Sequence, residues 1–243
     1  MSLPSGRSGN LSYRNVGLGA KKRDYWWTVL FVDPLAVPLA SFLGRKRWLT
    51  ADQITWLSFF LGIPMGLCYA TGERWGLVAG GVLWYLAFLT DCIDGKVARA
   101  MGTSSPKGKI LDEIADGGRR LSGALGLTVY LYKVEDGNLF FLAVVYGLVA
   151  FYFGQISGET RPEPRTRVGS RWSAWLERHR LLPTPGAPDI AAIVFLFGPV
   201  AGFVVEALVI GDVAFGLGIL AVMLRMARRR TPPVAPRTPP VAQ

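Results

Sequence analysis

Histidine and cysteine are nearly missing from this sequence, with one His and two Cys in 243 residues. His179 stands alone in a polar loop. Cys68 and Cys92 fall on different apolar runs, and neither has a second Cys or His at ligand spacing. That argues against zinc, haem and a disulfide framework. Charge is scarce as well, at 18% of residues, where a soluble domain carries roughly 25%. No cleavable leader is expected either: residues 1–22 are polar and basic, with no apolar core running into a small-residue cleavage site.

What the chain has instead is long apolar runs. Residues 54–72, 75–98, 109–132 and 138–156 are each long enough for one membrane span, and residues 188–227 are long enough for two, with a turn expected near Glu206 or at Gly211–Asp212. A span needs about 20 residues to cross a hydrocarbon core of roughly 30 Å. The expected fold is an all-α integral membrane protein with six transmembrane helices, preceded by an interfacial juxtamembrane helix. Residues 23–44 supply that first helix. They are apolar but interrupted by Asp33, Pro34 and Pro38, with Trp26 and Trp27 suited to headgroup depth; a kinked seventh span is the alternative. Residues 1–22 and the Pro-rich tail 231–243 are expected to be disordered, which leaves 23–230 as the membrane domain.

The net charge of +10 does not signal nucleic acid. Of the 27 Lys and Arg residues, only Arg74 and Lys133 fall in loops on one side of the six-span layout. This positive-inside bias puts both termini and residues 91–116 on the cytoplasmic side of the cell's inner (plasma) membrane, where basic loops also meet anionic headgroups. Within the polar loop 158–187, Trp172, Trp175, Leu176 and His179 share one helical face flanked by Arg171, Arg178 and Arg180, the pattern of an interfacial helix.

Against this background the stretch DCIDGKVARAMGTSSPKGKILDEIAD, residues 91–116, stands out. Four Asp residues sit at the ends of two consecutive spans, where carboxylates are costly without a partner. Asp91 and Asp94 are spaced i, i+3, and Asp112 and Asp116 i, i+4, so each pair shares a helix face. The small residues Gly95, Ala98 and Gly108 lie near the same faces, which suggests an antiparallel pair of closely packed neighbours. Carboxylates without His or Cys suit Mg²⁺ or Mn²⁺, and four of them suit a two-metal site acting on a phosphoryl group.

The full pattern, Asp91-x2-Asp94-Gly95-x2-Ala98-Arg99-x8-Gly108-x3-Asp112-x3-Asp116, resembles the signature of the CDP-alcohol phosphotransferase family in every fixed position. The resemblance implies an enzyme that transfers the substituted phosphate of a CDP-linked alcohol, such as CDP-diacylglycerol, to an acceptor hydroxyl with release of CMP. It implies two ions, Mg²⁺ or Mn²⁺, held by Asp91, Asp94, Asp112 and Asp116, with Asp116 also the catalytic base. Gly95 and Ala98 would leave room for the cytidine, Arg99 would bind the diphosphate, and Ser105 and Gly108 would lie near the nucleotide. It also implies a homodimer among membrane lipids.

Two departures matter. The segment LTADQIT, 49–55, resembles a nucleotide-holding segment that usually reads Pro-Asn or Pro-Asp, so Asp52 and Thr55 are candidates whose alternative role is helix N-capping. After Asp116, where many members carry a basic residue at once, Gly117 and Gly118 precede Arg119 and Arg120. Either arginine could bind a phosphate on the acceptor or pair with the Asp cluster, which favours a polyol-phosphate acceptor among small alcohols.

Two other functions share parts of the pattern. An intramembrane Asp-rich prenyltransferase would need two Asp-rich motifs on well-separated spans, and only one contiguous pair is present. A non-enzymatic lipid-binding or transport protein would carry polar residues along several spans, and the first, fourth, fifth and sixth carry few.

Overall fold

The computed structural model describes residues 19–46, 48–135, 137–160 and 171–228, with side chains left undescribed at 157–160, 171 and 228. Residues 1–18 and the tail from 229 onward lie outside the described residues, so the disorder expected of those ends stays an expectation. Residues 19–22 behave differently: Gly19 is buried against the helical body.

Among the described residues all the regular structure is helical, apart from an isolated bridge between Asp24 and Leu181. We name the helices α1 (Thr28–Lys46), α2 (Ala51–Ala70), α3 (Arg74–Met101), α4 (Pro106–Val134), α5 (Phe140–Thr160), α6 (Arg171–Arg178), α7 (Ala187–Ala201) and α8 (Val204–Arg228).

Their ends follow local chemistry. Thr50 and Gln53 close a reciprocal capping box at the start of α2. Ser105 caps α4, accepting the Gly108 amide at 3.0 Å, and Pro106 sits at the first position, where its missing N–H costs nothing. Gly102 ends α3 at φ 67° and Gly202 separates α7 from α8 at φ 86°, a region that disfavours side chains.

Among the described residues five helices are long and apolar enough to cross a membrane: α1, α2, α3, residues 137–156 of the α5 segment, and α8. The charges in the first half of α4 keep it out of that set, and α7 is shorter. Three sequence expectations change. Residues 28–46 form one continuous helix despite Asp33, Pro34 and Pro38, because a π-helical stretch at Thr28–Val32 leads straight into it and Pro34 falls at the start of the α-helical part. The break before the last helix lies at Gly202, not at Glu206 or Gly211–Asp212, which are inside α8. The third change concerns packing. The two Asp-bearing helices, α3 and α4, are not a close pair; both pack against α2, which joins them.

Glycine sets that arrangement. A Cβ on Gly126 of α4 would collide with the backbone of Gly66 on α2, and one on Gly66 with the backbone of Ser122. The two backbones therefore touch where neither helix has a side chain, the close approach that small residues permit between membrane helices. The signature glycines do something else: a Cβ on Gly95 would meet the Arg99 guanidinium, and one on Gly108 would meet Ser105 and Asp52. An aromatic core of Tyr69, Trp84, Tyr146 and Phe195 ties α2, α3, α5 and α7 together, and the buried Tyr69 hydroxyl donates to the Phe195 carbonyl as a buried phenol must.

Candidate active site

Near the α3–α4 loop a cavity of about 640 Å³ opens between α2, α3 and the start of α4. Ten of the thirteen residues singled out from the sequence line it: Asp52, Thr55, Asp91, Asp94, Gly95, Ala98, Arg99, Ser105, Gly108 and Asp112. One carboxylate oxygen from each of Asp91, Asp94 and Asp112 lies within 4.8 Å of the other two. Helix spacing explains the first two and the α2 scaffold explains the third.

Three anions this close need a cation. The donor set is all oxygen, which suits a hard divalent ion such as Mg²⁺ or Mn²⁺. A second observation fits the same ion. Asp91 Oδ1 is buried without a properly directed hydrogen bond, although Arg119 Nη2 lies 3.1 Å away. Asp94 is aimed from behind: the Thr55 hydroxyl donates to its Oδ2 at 2.5 Å. Thr55 is therefore no cap; that role falls to Thr50, and Asp52, in the first turn of α2, faces the cavity.

Asp116 lies one turn beyond Asp112 and outside the close trio, where the Arg119 guanidinium bonds it. Arg119 is buried, at 6% exposure. Its Nη2 serves Asp116 and Asp91, and its Nη1 donates to the Ser58 hydroxyl and to the Ala87 carbonyl at 3.0 Å. Gly62 of α2 faces the Arg119 stem, and any side chain there would strike it. The structure thus gives Arg119 the ion-pair arrangement and leaves Arg120, one position on, exposed. Arg120 has no hydrogen bond or ion pair among the described residues and is near enough to Tyr146 of α5 to act on it electrostatically.

Sequence reasoning missed several residues around the site. Lys21 and Asp24, from the segment before α1, line the cavity, as do Lys96 and Lys109. Lys96 is almost fully buried and pairs with Asp33 of α1 at 2.8 Å, and Asp33 also accepts from Arg180 at 3.0 Å. The available signal was Asp33 itself, a carboxylate inside an apolar run that had to have a cationic partner.

A model of the CDP-alcohol phosphatidyltransferase family matches residues 48–217, the greater part of the chain and all of the Asp cluster. A phosphatidylinositol phosphate synthase of Cutibacterium acnes is 28% identical over 141 residues, which cover 55% of this chain and 65% of that protein. A CDP-diacylglycerol–glycerol-3-phosphate 3-phosphatidyltransferase of Pseudomonas fluorescens is 30% identical over 133 residues, 53% of this chain and 62% of that protein. The match thus spans just under two thirds of either relative's length. The fold is similar to that of Mycobacterium tuberculosis phosphatidylinositol phosphate synthase. In complex with manganese and citrate that protein gives a TM-score of 0.62 at 18% identity, over 80% of this chain and 90% of that one. With CDP-DAG bound the TM-score is 0.61 at 18% identity, over 82% and 99%.

Proposed function

The chain belongs to the CDP-alcohol phosphatidyltransferase family, and we propose that it transfers the phosphatidyl group of CDP-diacylglycerol to the hydroxyl of a polyol phosphate, releasing CMP, in phospholipid synthesis. The observation that carries this reading is the convergence of Asp91, Asp94 and Asp112 within 4.8 Å beside a cavity that also takes in Arg99. That arrangement suits a diphosphate bound through a divalent cation.

Asp91, Asp94 and Asp112 would hold one ion, and Asp91, Asp112 and Asp116 a second, both Mg²⁺ or Mn²⁺. When bound, the ions supply charge neutralisation for the diphosphate and polarise the acceptor hydroxyl. Arg99 faces the leaving nucleotide's phosphate and stabilises charge developing there. Asp116, held through one oxygen by Arg119, takes the proton of the acceptor hydroxyl. The acceptor oxygen forms a bond to the lipid-side phosphorus as the bond to CMP breaks, and CMP leaves with the electron pair. Asp52, Gly95, Ala98, Ser105 and Gly108 shape the nucleotide's part of the cavity.

The acceptor reading rests on Arg120, an exposed guanidinium two turns beyond Asp112 with no hydrogen bond or ion pair among the described residues. It is also in keeping with two relatives whose names specify phosphorylated polyols or their products. Placement of the site at the cytoplasmic face of the inner membrane, and assembly as a homodimer, belong to the same proposal; the positive-inside bias supports the first. The test is CMP release from CDP-diacylglycerol by purified protein with Mn²⁺ or Mg²⁺, over a panel of polyols and polyol phosphates. Turnover with a phosphorylated polyol and none with its dephosphorylated form is expected. No CMP release with any acceptor would reject the proposal.

A further inference from the structure

We propose that Lys21 is a second cation for the donor's diphosphate, brought to the cavity on an N-terminal strap that Arg180 holds in place. The inference rests on the phosphatidyl-transfer reading above and deepens it.

Four cations among the described residues line the cavity: Lys21, Lys96, Arg99 and Lys109. Lys96 is taken up by Asp33, buried against it at 2.8 Å, and Lys109 is exposed and 3.7 Å from Glu113 in a solvent-facing pair. Arg99 and Lys21 have no carboxylate partner among the described residues, and the Lys21 ammonium is close enough to Asp112 to act on it electrostatically. A diphosphate drawn to the metal-binding carboxylates therefore meets two cations whose charge no carboxylate among the described residues offsets. Asp24 faces the same cavity, but its Oδ1 accepts the Tyr25 amide at 2.9 Å.

The strap, residues 19–24, is fastened at Gly19, Lys21, Arg23 and Asp24. The Gly19 carbonyl accepts Arg99 Nε at 2.5 Å, and a Cβ on Gly19 would lie 2.6 Å from the Lys96 carbonyl, so the strap's backbone presses on α3. The Lys21 carbonyl accepts two bonds from Arg180, Nε at 3.2 Å and Nη2 at 3.0 Å. Arg23 pairs with Glu177 of α6. Asp24 is paired through its backbone with the far side of the α6 turn: its amide donates to the Arg180 carbonyl at 2.8 Å, and its carbonyl accepts the Leu182 amide at 3.0 Å.

Arg180 itself has φ 60°, uncommon for a side-chain-bearing residue. That left-handed turn ends α6 and lets one guanidinium reach both the strap and Asp33, at 3.0 Å. The Trp- and Arg-rich segment that looked purely interfacial in the sequence thus buttresses the cavity wall. Since Arg99 is bonded to the strap as well, strap position sets both cations. Lys21 would touch substrate, whereas Arg180 acts through Lys21 and is a positioning residue.

The test uses the full chain in lipid nanodiscs. Lys21→Met should raise the KM for CDP-diacylglycerol about tenfold, the weight of one charge-assisted contact, with the acceptor KM unchanged and Lys21→Arg restoring it. Arg180→Lys keeps a charge for Asp33 but loses the two-point hold on the strap. It should therefore raise the donor KM without lowering Tm. Amine acylation read by mass spectrometry covers the case of a variant that fails to fold: on the unaltered protein, CDP with Mn²⁺ should protect Lys21 and leave Lys22 reactive. An unchanged donor KM in Lys21→Met, or equal Lys21 acylation with and without CDP, overturns the inference while CMP release continues. Absence of CMP release from the unaltered protein overturns the phosphatidyl-transfer reading, and this one with it.

Discussion

Thr55 of α2 donates its hydroxyl to Asp94 of α3 at 2.5 Å, and both residues are buried. The same hydroxyl lies 3.0 Å from the Ala51 carbonyl one turn back, which fixes its rotamer. A helix that carries no ligand of its own thus aims one of the three converging carboxylates. Groups behind a metal ligand commonly change metal affinity or activity by about 10–100-fold when removed. Thr55→Val keeps the shape and loses the bond. It should raise the Mn²⁺ concentration for half-maximal CMP release by about tenfold, and Thr55→Ser should recover most of the loss. Equal Mn²⁺ dependence in all three proteins would separate Thr55 from the metal site.

Asp112 separates activity from stability. Its carboxylate stands among other anions, so the apoprotein carries repulsion that the Asn variant lacks. Asp112→Asn should lower turnover by about 10²–10³-fold or more, as when a main electrostatic group of a site is removed. Its Tm in EDTA should equal or exceed that of the parent, as often happens when a strained functional site is relaxed. Mn²⁺ should raise the Tm of the parent by mass action and leave that of Asp112→Asn nearly unchanged. A variant that loses Tm in EDTA would mean that the cluster is structural.

The neighbouring arginines should divide cleanly. Arg119 is buried and serves Asp91, Asp116, Ser58 and the Ala87 carbonyl. Arg119→Met removes the buried cation from the partly buried Asp91 and from the half-exposed Asp116, a loss smaller than the roughly 3–5 kcal/mol of a fully buried pair, so both Tm and activity should fall. Arg120 is exposed and has no such bonds among the described residues. Arg120→Leu should keep its Tm and raise the acceptor KM far more than the KM for CDP-diacylglycerol. An equal rise in both KM values would end the acceptor role.

The contrast between these arginines marks what the sequence could carry. Spacing along one helix is readable, so the faces shared by Asp91 with Asp94 and by Asp112 with Asp116 were legible, as were the apolar runs behind α2, α3, α5 and α8. Contacts between helices are not set by spacing on one of them. The antiparallel α3–α4 pair expected from the short loop proved to be two helices meeting on α2, because the glycines that permit close approach are Gly66 and Gly126, not Gly95 and Gly108. The same blindness hid the strap. Lys21 and Arg180 are 159 positions apart, and nothing in either local pattern joins them. Asp33 was visible as an interruption, yet its partners Lys96 and Arg180 come from other parts of the chain.

The backbone contact between α2 and α4 gives the last prediction. It sits below the site and sets how far Thr55 and Ser58 reach toward the Asp-bearing helices. A methyl group on Gly66 would overlap the Ser122 carbonyl, and one on Gly62 would overlap the Arg119 side chain. Neither neighbour can yield cheaply: the first is backbone, and the second is buried and bonded on all sides. Overpacking of this kind costs about 1–3 kcal/mol, so Gly66→Ala and Gly62→Ala should each lower Tm. Gly62→Ala should also lower turnover disproportionately, since it moves the cation that holds Asp116. Gly216 of α8 is also in mid-helix, but a Cβ there meets nothing within 4 Å. Gly216→Ala gains helix propensity, worth up to about 1 kcal/mol, and should hold or raise Tm with turnover unchanged. Thermal unfolding and CMP release measured on the three variants together would decide the matter. If Gly66→Ala and Gly216→Ala behaved alike, the close approach of α2 and α4 would not be what positions the site.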